Sequence, residues 1–221
     1  MVHQKNKPIE HCSFPQLVLT LDVRRVIEPA FLCQLFQTKS FACIILYDSF
    51  VDQGDGAFLQ NSAKMYADDI QHNGAALIIA EDSRVAGRIK ADGMHLEGGL
   101  DAFDVLENQK KNQKIVGFGN LRTRHCAMSV AEAGVDYVFF GKLGADKKPS
   151  SHPRNIALAK WWAEIMEVPA IIQAGSDLAT IDETLETTCE FIAIEEMIFA
   201  HDHPFIVLDR VKEKCKNHPL S

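Results

Sequence analysis

The stretch from Ala75 to Gly99, AALIIAEDSRVAGRIKADGMHLEGG, leaves this chain few architectures to choose from. An apolar run over 75–79 stops at Glu81 and Asp82, a short helix-like piece follows over 83–89, and a second apolar run, Met94-His95-Leu96, ends at Glu97 and two glycines. Two buried parallel strands joined by a brief crossover fit this pattern best, because parallel neighbours need a crossover where antiparallel ones need only a hairpin. Each strand releases a carboxylate at its carboxyl end, the edge where parallel α/β proteins place their chemistry.

The same unit repeats on both sides. Strand-like runs at 17–21, 41–47, 114–118, 136–140, 170–173 and 191–194 end at Asp22, Asp48, Gly119-Asn120, Gly141, Ala174-Gly175 and Glu195-Glu196. Between them lie helical patterns at 29–39, 58–72, 101–111 and 122–133, a helix carrying Trp161 and Trp162, one opened by Ala174-Gly175-Ser176-Asp177, and a closing helix over 204–215. Gly134 ends the fourth pattern as a left-handed cap. Eight such units in 221 residues predict an α/β protein built as a single (β/α)8 TIM barrel spanning 1–221, with a polar tail over 1–15. An open doubly wound sheet is the alternative; it calls for a glycine-rich turn after the first strand, and Asp22-Val23-Arg24-Arg25 has no glycine.

A hydrophobic content of 47% supplies a core, and a net charge of -7 without a dense basic run argues against nucleic acid or a membrane surface as partner. A small molecule is the expected ligand, and no apolar run approaches a membrane span or a secretion signal, so the expected place is the cytoplasm. Association as a homodimer through the outer helices stays open. Six cysteines without a C-x-x-C read as reduced thiols, Cys43 among them as core packing. Of nine histidines only His201 and His203 lie close, flanking Asp202 before Pro204, a pattern that predicts a helix start capped by Asp202 or His203. His95 lies within a strand and reads as a core, hydrogen-bonded residue.

Two segments carry a resemblance. KADGMHLEGG (90–99) is similar to the fourth strand of the thiamine-phosphate synthase and thiazole tautomerase family, and AEAGVDYVFFGK (131–142) to its sixth strand and following loop. The resemblance implies a barrel that joins hydroxymethylpyrimidine diphosphate to thiazole phosphate with Mg²⁺, a transferase of thiamine biosynthesis. On that reading Glu81, Asp82, Glu97 and Asp101 are the metal candidates. Gly141, Lys142, Lys147, Lys148, Gly175 and Ser176 are the phosphate candidates. Asp48, Glu195 and Glu196, acids at strand ends, are the candidate catalytic groups. Where the family carries a glutamine, an arginine and a lysine at the end of strand two, this chain has Leu46, Asp48 and Phe50. That exchange keeps a second reading in play: a barrel of the same family that binds a phosphorylated ligand or a partner without turnover.

Overall fold

The computed structural model describes residues 13–50, 56–97 and 114–220. Eight parallel strands close in sequence order: β1 (Gln16–Asp22), β2 (Phe41–Tyr47), β3 (Ala76–Ala80), β4 (Gly93–Leu96), β5 (Ile115–Phe118), β6 (Tyr137–Phe140), β7 (Ala170–Gln173) and β8 (Phe191–Ile194). β8 returns to pair with β1, Leu19 opposite Ile194, so the sheet has no open edge. This is the (β/α)8 barrel, and the open sheet is excluded. Among the described residues the helices are α1 (Pro29–Gln37), α2 (Gly56–His72), α3 (Ser83–Arg88), α4 (Arg124–Glu132), α5 (Pro153–Ile165), α6 (Asp182–Leu185), α7 (Glu196–Phe199) and α8 (Pro204–Lys216). The helix expected over 101–111 lies outside the described residues.

Alternation along each strand builds two cores. Val18, Ile45, Tyr47, Ile78, Tyr137, Phe139 and Ile171 fill the barrel interior. Leu17, Leu19, Leu21, Ile44 and Leu46 turn outward and pack with Leu32, Leu35 and Phe36 of α1 and Leu59 and Ile70 of α2. Trp162 is 1% exposed, and its indole N–H finds the Val168 carbonyl at 2.7 Å. A side chain of that size contributes on the order of 2–3 kcal/mol by leaving water. Cys43 is partly buried against the interior cluster, where burial pushes its thiol up to about 12.

Chain turns follow local chemistry with two departures. Asp82 starts α3, and Gly134, at φ 88°, follows the end of α4 in the left-handed region that favours glycine. After β7, however, Ala174-Gly175-Ser176-Asp177 leads into a 3-10 turn over Leu178–Thr180, capped by Asp177, before the single turn of α6. The start of α8 also corrects the expected cap: His203 takes the capping position but makes no side-chain bond to the helix. Pro204 at the first helical position has no N–H to satisfy, which lowers the need for one.

Candidate active site

At the carboxyl ends of β8, β1 and β2 the chain's own acids and arginines neutralise one another. Glu195 is fully buried and accepts four hydrogen bonds, from Thr20 Oγ1 (3.1 Å), Asp22 N (3.0 Å), Arg25 Nε (2.9 Å) and Tyr47 Oη (2.8 Å). Burial, reinforced by the nearby Asp146 charge, pushes its carboxyl up to about 7 against the pull of these donors. Glu196 pairs with the other arm of the Arg25 guanidinium. Asp48 takes a two-pronged bond from Arg24, both arms at 2.8 Å, and the Phe50 N–H at 2.9 Å. Burial raises the Asp48 carboxyl, but Arg24 and that N–H outweigh it and hold the group below the usual carboxylate range. The Arg24 guanidinium also lies 3.8 Å over the Phe58 ring. The three candidate catalytic acids therefore share one sector, each paired with an arginine. Arg24 and Arg25 were not among the candidates from sequence; the signal was there in two arginines directly after the first strand's Asp22.

The ends of β3 and β4 hold a second pair of acids. Glu81 sits at φ 62°, an uncommon conformation for a residue with a side chain, and its Oε1 accepts the Glu97 N–H. Glu97 Oε1 in turn accepts Leu143 N at 2.7 Å and stands 3.8 Å from His95 Nε2. His95 is buried, with Nδ1 on Tyr137 Oη at 3.0 Å, the hydrogen-bonded core position that its place in the strand predicts. Asp82 instead caps α3, accepting Arg84 N and Val85 N at 2.9 Å, and Asp101 lies outside the described residues. Among the described residues no three acids, histidines or cysteines stand together as a metal cage. Mg²⁺ needs less than a cage, because one or two carboxylates, water and substrate phosphates suffice for it. Glu81 and Glu97, hard oxygen donors held to each other at one rim, fit that requirement.

The third sector spans β5, β6 and β7. The buried Gln173 amide clamps the end of β6, accepting Lys142 N (3.0 Å) and donating to Lys142 O (2.8 Å). Behind it the loop after β6 folds over the end of β7: Ser176 N donates to Lys148 O at 2.8 Å and Asp177 N to Pro149 O at 3.1 Å. Gly175 is required there, since a Cβ would lie 2.1 Å from Pro149 O. The N–H groups of Ser176 and Asp177 thus serve the neighbouring loop, while Lys142, Lys147 and Lys148 are exposed and pair with no carboxylate among the described residues. Gly141 and Lys142 border a cavity of about 160 Å³ that reaches to the start of α5.

The profile described as thiamine monophosphate synthase matches residues 39–198. The chain belongs to the thiamine monophosphate synthase family. A thiamine-phosphate synthase of Erythrobacter litoralis is 28% identical over 131 residues, 58% of this chain and 61% of that protein, so the match spans under two-thirds of that relative. One of Rhodospirillum centenum is 26% identical over 80% of this chain and 88% of its own length. Among solved structures, a thiamine phosphate pyrophosphorylase of Pyrococcus furiosus superposes with a TM-score of 0.67 at 16% identity, covering 93% of this chain and 96% of its own. A 3-hexulose-6-phosphate synthase gives 0.64 at 15% identity, over 90% and 98%. At such identities the superpositions speak for the barrel alone.

Proposed function

We propose that this chain joins hydroxymethylpyrimidine diphosphate to thiazole phosphate, forming thiamine phosphate and releasing diphosphate. The observation that carries the reading is the 2.7 Å bond from Leu143 N to Glu97, which ties the acidic rim of β3 and β4 to the lysine-bearing loop after β6. In the reaction the bond between the pyrimidine methylene and the diphosphate oxygen breaks, the electron pair leaves with the diphosphate, and the thiazole nitrogen closes on the methylene carbon. Charge accumulates on the leaving diphosphate, so fixed positive groups there favour the transition state. Lys142, Lys147 and Lys148 are assigned to that work, and Gly141, Gly175 and Ser176 shape the phosphate end of the site. Glu81 and Glu97 would hold Mg²⁺, which supplies further charge neutralisation to the diphosphate when bound.

Glu195 acts at one remove, as a positioning residue: its four hydrogen bonds fix Tyr47 and Arg25 beside the mouth. Asp48 does the same for Arg24. The test is direct. Purified protein given both substrates and Mg²⁺ should yield thiamine phosphate and diphosphate in equal amounts. Neither product at a protein concentration matching the substrates overturns the assignment.

A further inference from the structure

The loop between β6 and α5 does not stay on its own side of the barrel. Leu143 N reaches Glu97 beyond β4, and the Leu143 side chain packs on the cluster that fills the barrel interior. One residue later the backbone at Gly144 lies against the Tyr47 ring at the end of β2, where an added Cβ would come 3.1 Å from the phenol oxygen. β2 stands four strands from β6 in a closed ring of eight, so the loop has crossed to the opposite wall. Asp146, 4% exposed, then accepts Glu196 N beyond β8 at 2.8 Å, and the carbonyls of Lys148 and Pro149 return the chain to the end of β7. A segment fastened beyond β4, β8 and β7, with an apolar side chain turned into the barrel, covers the mouth.

Two of these fastenings are incomplete. Among the described residues the buried side-chain atoms without a hydrogen-bond partner are His95 Nε2 and Asp146 Oδ1. His95 Nε2 stands 3.8 Å from Glu97 Oε1, the oxygen that accepts Leu143 N, and Asp146 Oδ1 belongs to the carboxylate that holds Glu196 N. Protein interiors pair nearly all such groups, so an orphan at each of two fastenings of one loop marks an arrangement with an alternative. The ends of the segment are better held, by the Gln173 clamp on Lys142 and by the Ser176 and Asp177 N–H groups on Lys148 and Pro149. Those two points are the hinges.

We propose that residues 143–147 form a strap that closes the barrel mouth on itself and lifts before a substrate enters. When Leu143 N lets go, Glu97 turns to His95, whose Nδ1 is held on Tyr137 Oη and whose Nε2–H donates to the freed carboxylate. Asp146 Oδ1 meets water in the lifted loop. The side chains of Leu143 and Asp146 set how often the mouth is open, and apparent affinity falls in proportion to the open fraction. The strap rests on the synthase reading only for the identity of what enters.

Native-state hydrogen exchange without added substrate tests it. The Leu143 and Glu196 amides should open together, at least about tenfold more often than core amides such as those of Ile79 and Ile172. Asp146→Ala removes no partner of the Leu143 amide and should still speed its exchange by at least about fivefold. Asp146→Asn drops the charge but keeps an oxygen for Glu196 N, and should stay within about twofold of the parent. Leu143→Ala withdraws the side chain from the mouth, keeps its N–H, and should act as Asp146→Ala does. In calorimetric titration with inorganic diphosphate and Mg²⁺, both alanine variants should bind at least about threefold tighter than the parent and Asp146→Asn. Independent opening of the two amides, or exchange at Leu143 only with the core, overturns the strap. Equal tightening in Asp146→Asn and Asp146→Ala assigns the gain to charge, and no gain or no binding in any form means that nothing is covered; each overturns it. A protein that passes these tests yet forms no thiamine phosphate loses the synthase reading and keeps the strap.

Discussion

The two sides of the barrel mouth treat charge in opposite ways. On the β8–β1–β2 side Glu195, Glu196 and Asp48 are matched by Arg25 and Arg24, and every oxygen of the buried Glu195 has a donor. On the β5–β6–β7 side Lys142, Lys147, Lys148 and Arg154 meet no carboxylate among the described residues, and Asp146 keeps an oxygen without a partner. The first side is complete without a ligand and spends its polar groups on structure. The second is incomplete, and it is where an anion gains most. Buried ion pairs that satisfy each other give geometry, and unpaired cations beside a cavity give binding.

The largest effect should come from breaking the complete side. Glu195→Ala leaves Arg25, Tyr47, Thr20 and Asp22 N facing an empty acceptor, and should cost about 3–5 kcal/mol in urea unfolding. A loss below about 1 kcal/mol would mean that the network contributes little to the fold.

Next in size is a dependence on pH. The Glu195 carboxyl goes from an ordinary 4.5 to about 7 in the folded protein. Below 4.5 both states hold the proton; between 4.5 and about 7 the unfolded chain releases it first, so stability falls across that window and levels off above it. The drop should be roughly 3 kcal/mol, read by chemical unfolding at several pH values, and Glu195→Gln should flatten most of it. Asp146, raised by burial, contributes in the same direction. Asp48 works the other way, since its lowered carboxyl loses stability only as pH drops through acid values below the Glu195 window.

Sequence reading reached the barrel because each of its signals is local. The apolar run over 41–47, the short crossover over 83–89 and acids at strand ends all follow from residues next to one another in the chain. The charge pattern of the mouth is not local. Arg25 meets Glu195 across 170 positions and Arg24 meets Asp48 across 24, so Asp48 read alone looked like a sign reversal when it is half of a neutral pair. The use made of the backbone around Ser176, a phosphate candidate by resemblance, is equally non-local, because nothing in Ala174-Gly175-Ser176-Asp177 announces that the carbonyls of Lys148 and Pro149 will take the donors of Ser176 and Asp177.

That docking can be broken on its own. Gly175→Ala places a carbon against the Pro149 carbonyl and should lift the loop after β6, at a cost of about 1–3 kcal/mol in thermal unfolding. Faster amide exchange at Ser176 and Asp177 should accompany it. The smallest effect on stability belongs to the incomplete side: Lys142→Ala with Lys148→Ala should leave unfolding within about 0.5 kcal/mol while lowering thiamine phosphate formation by at least about tenfold. Unchanged turnover in that variant would move the diphosphate elsewhere.

The division of the mouth is tested most directly by a crystal structure of the protein with thiamine phosphate, diphosphate and Mg²⁺. The account predicts diphosphate between Glu81, Glu97 and the lysines after β6, with the Arg24–Asp48 and Arg25–Glu195 pairs intact. Phosphate groups seated on Arg24 and Arg25, with Asp48 and Glu195 displaced, would contradict it.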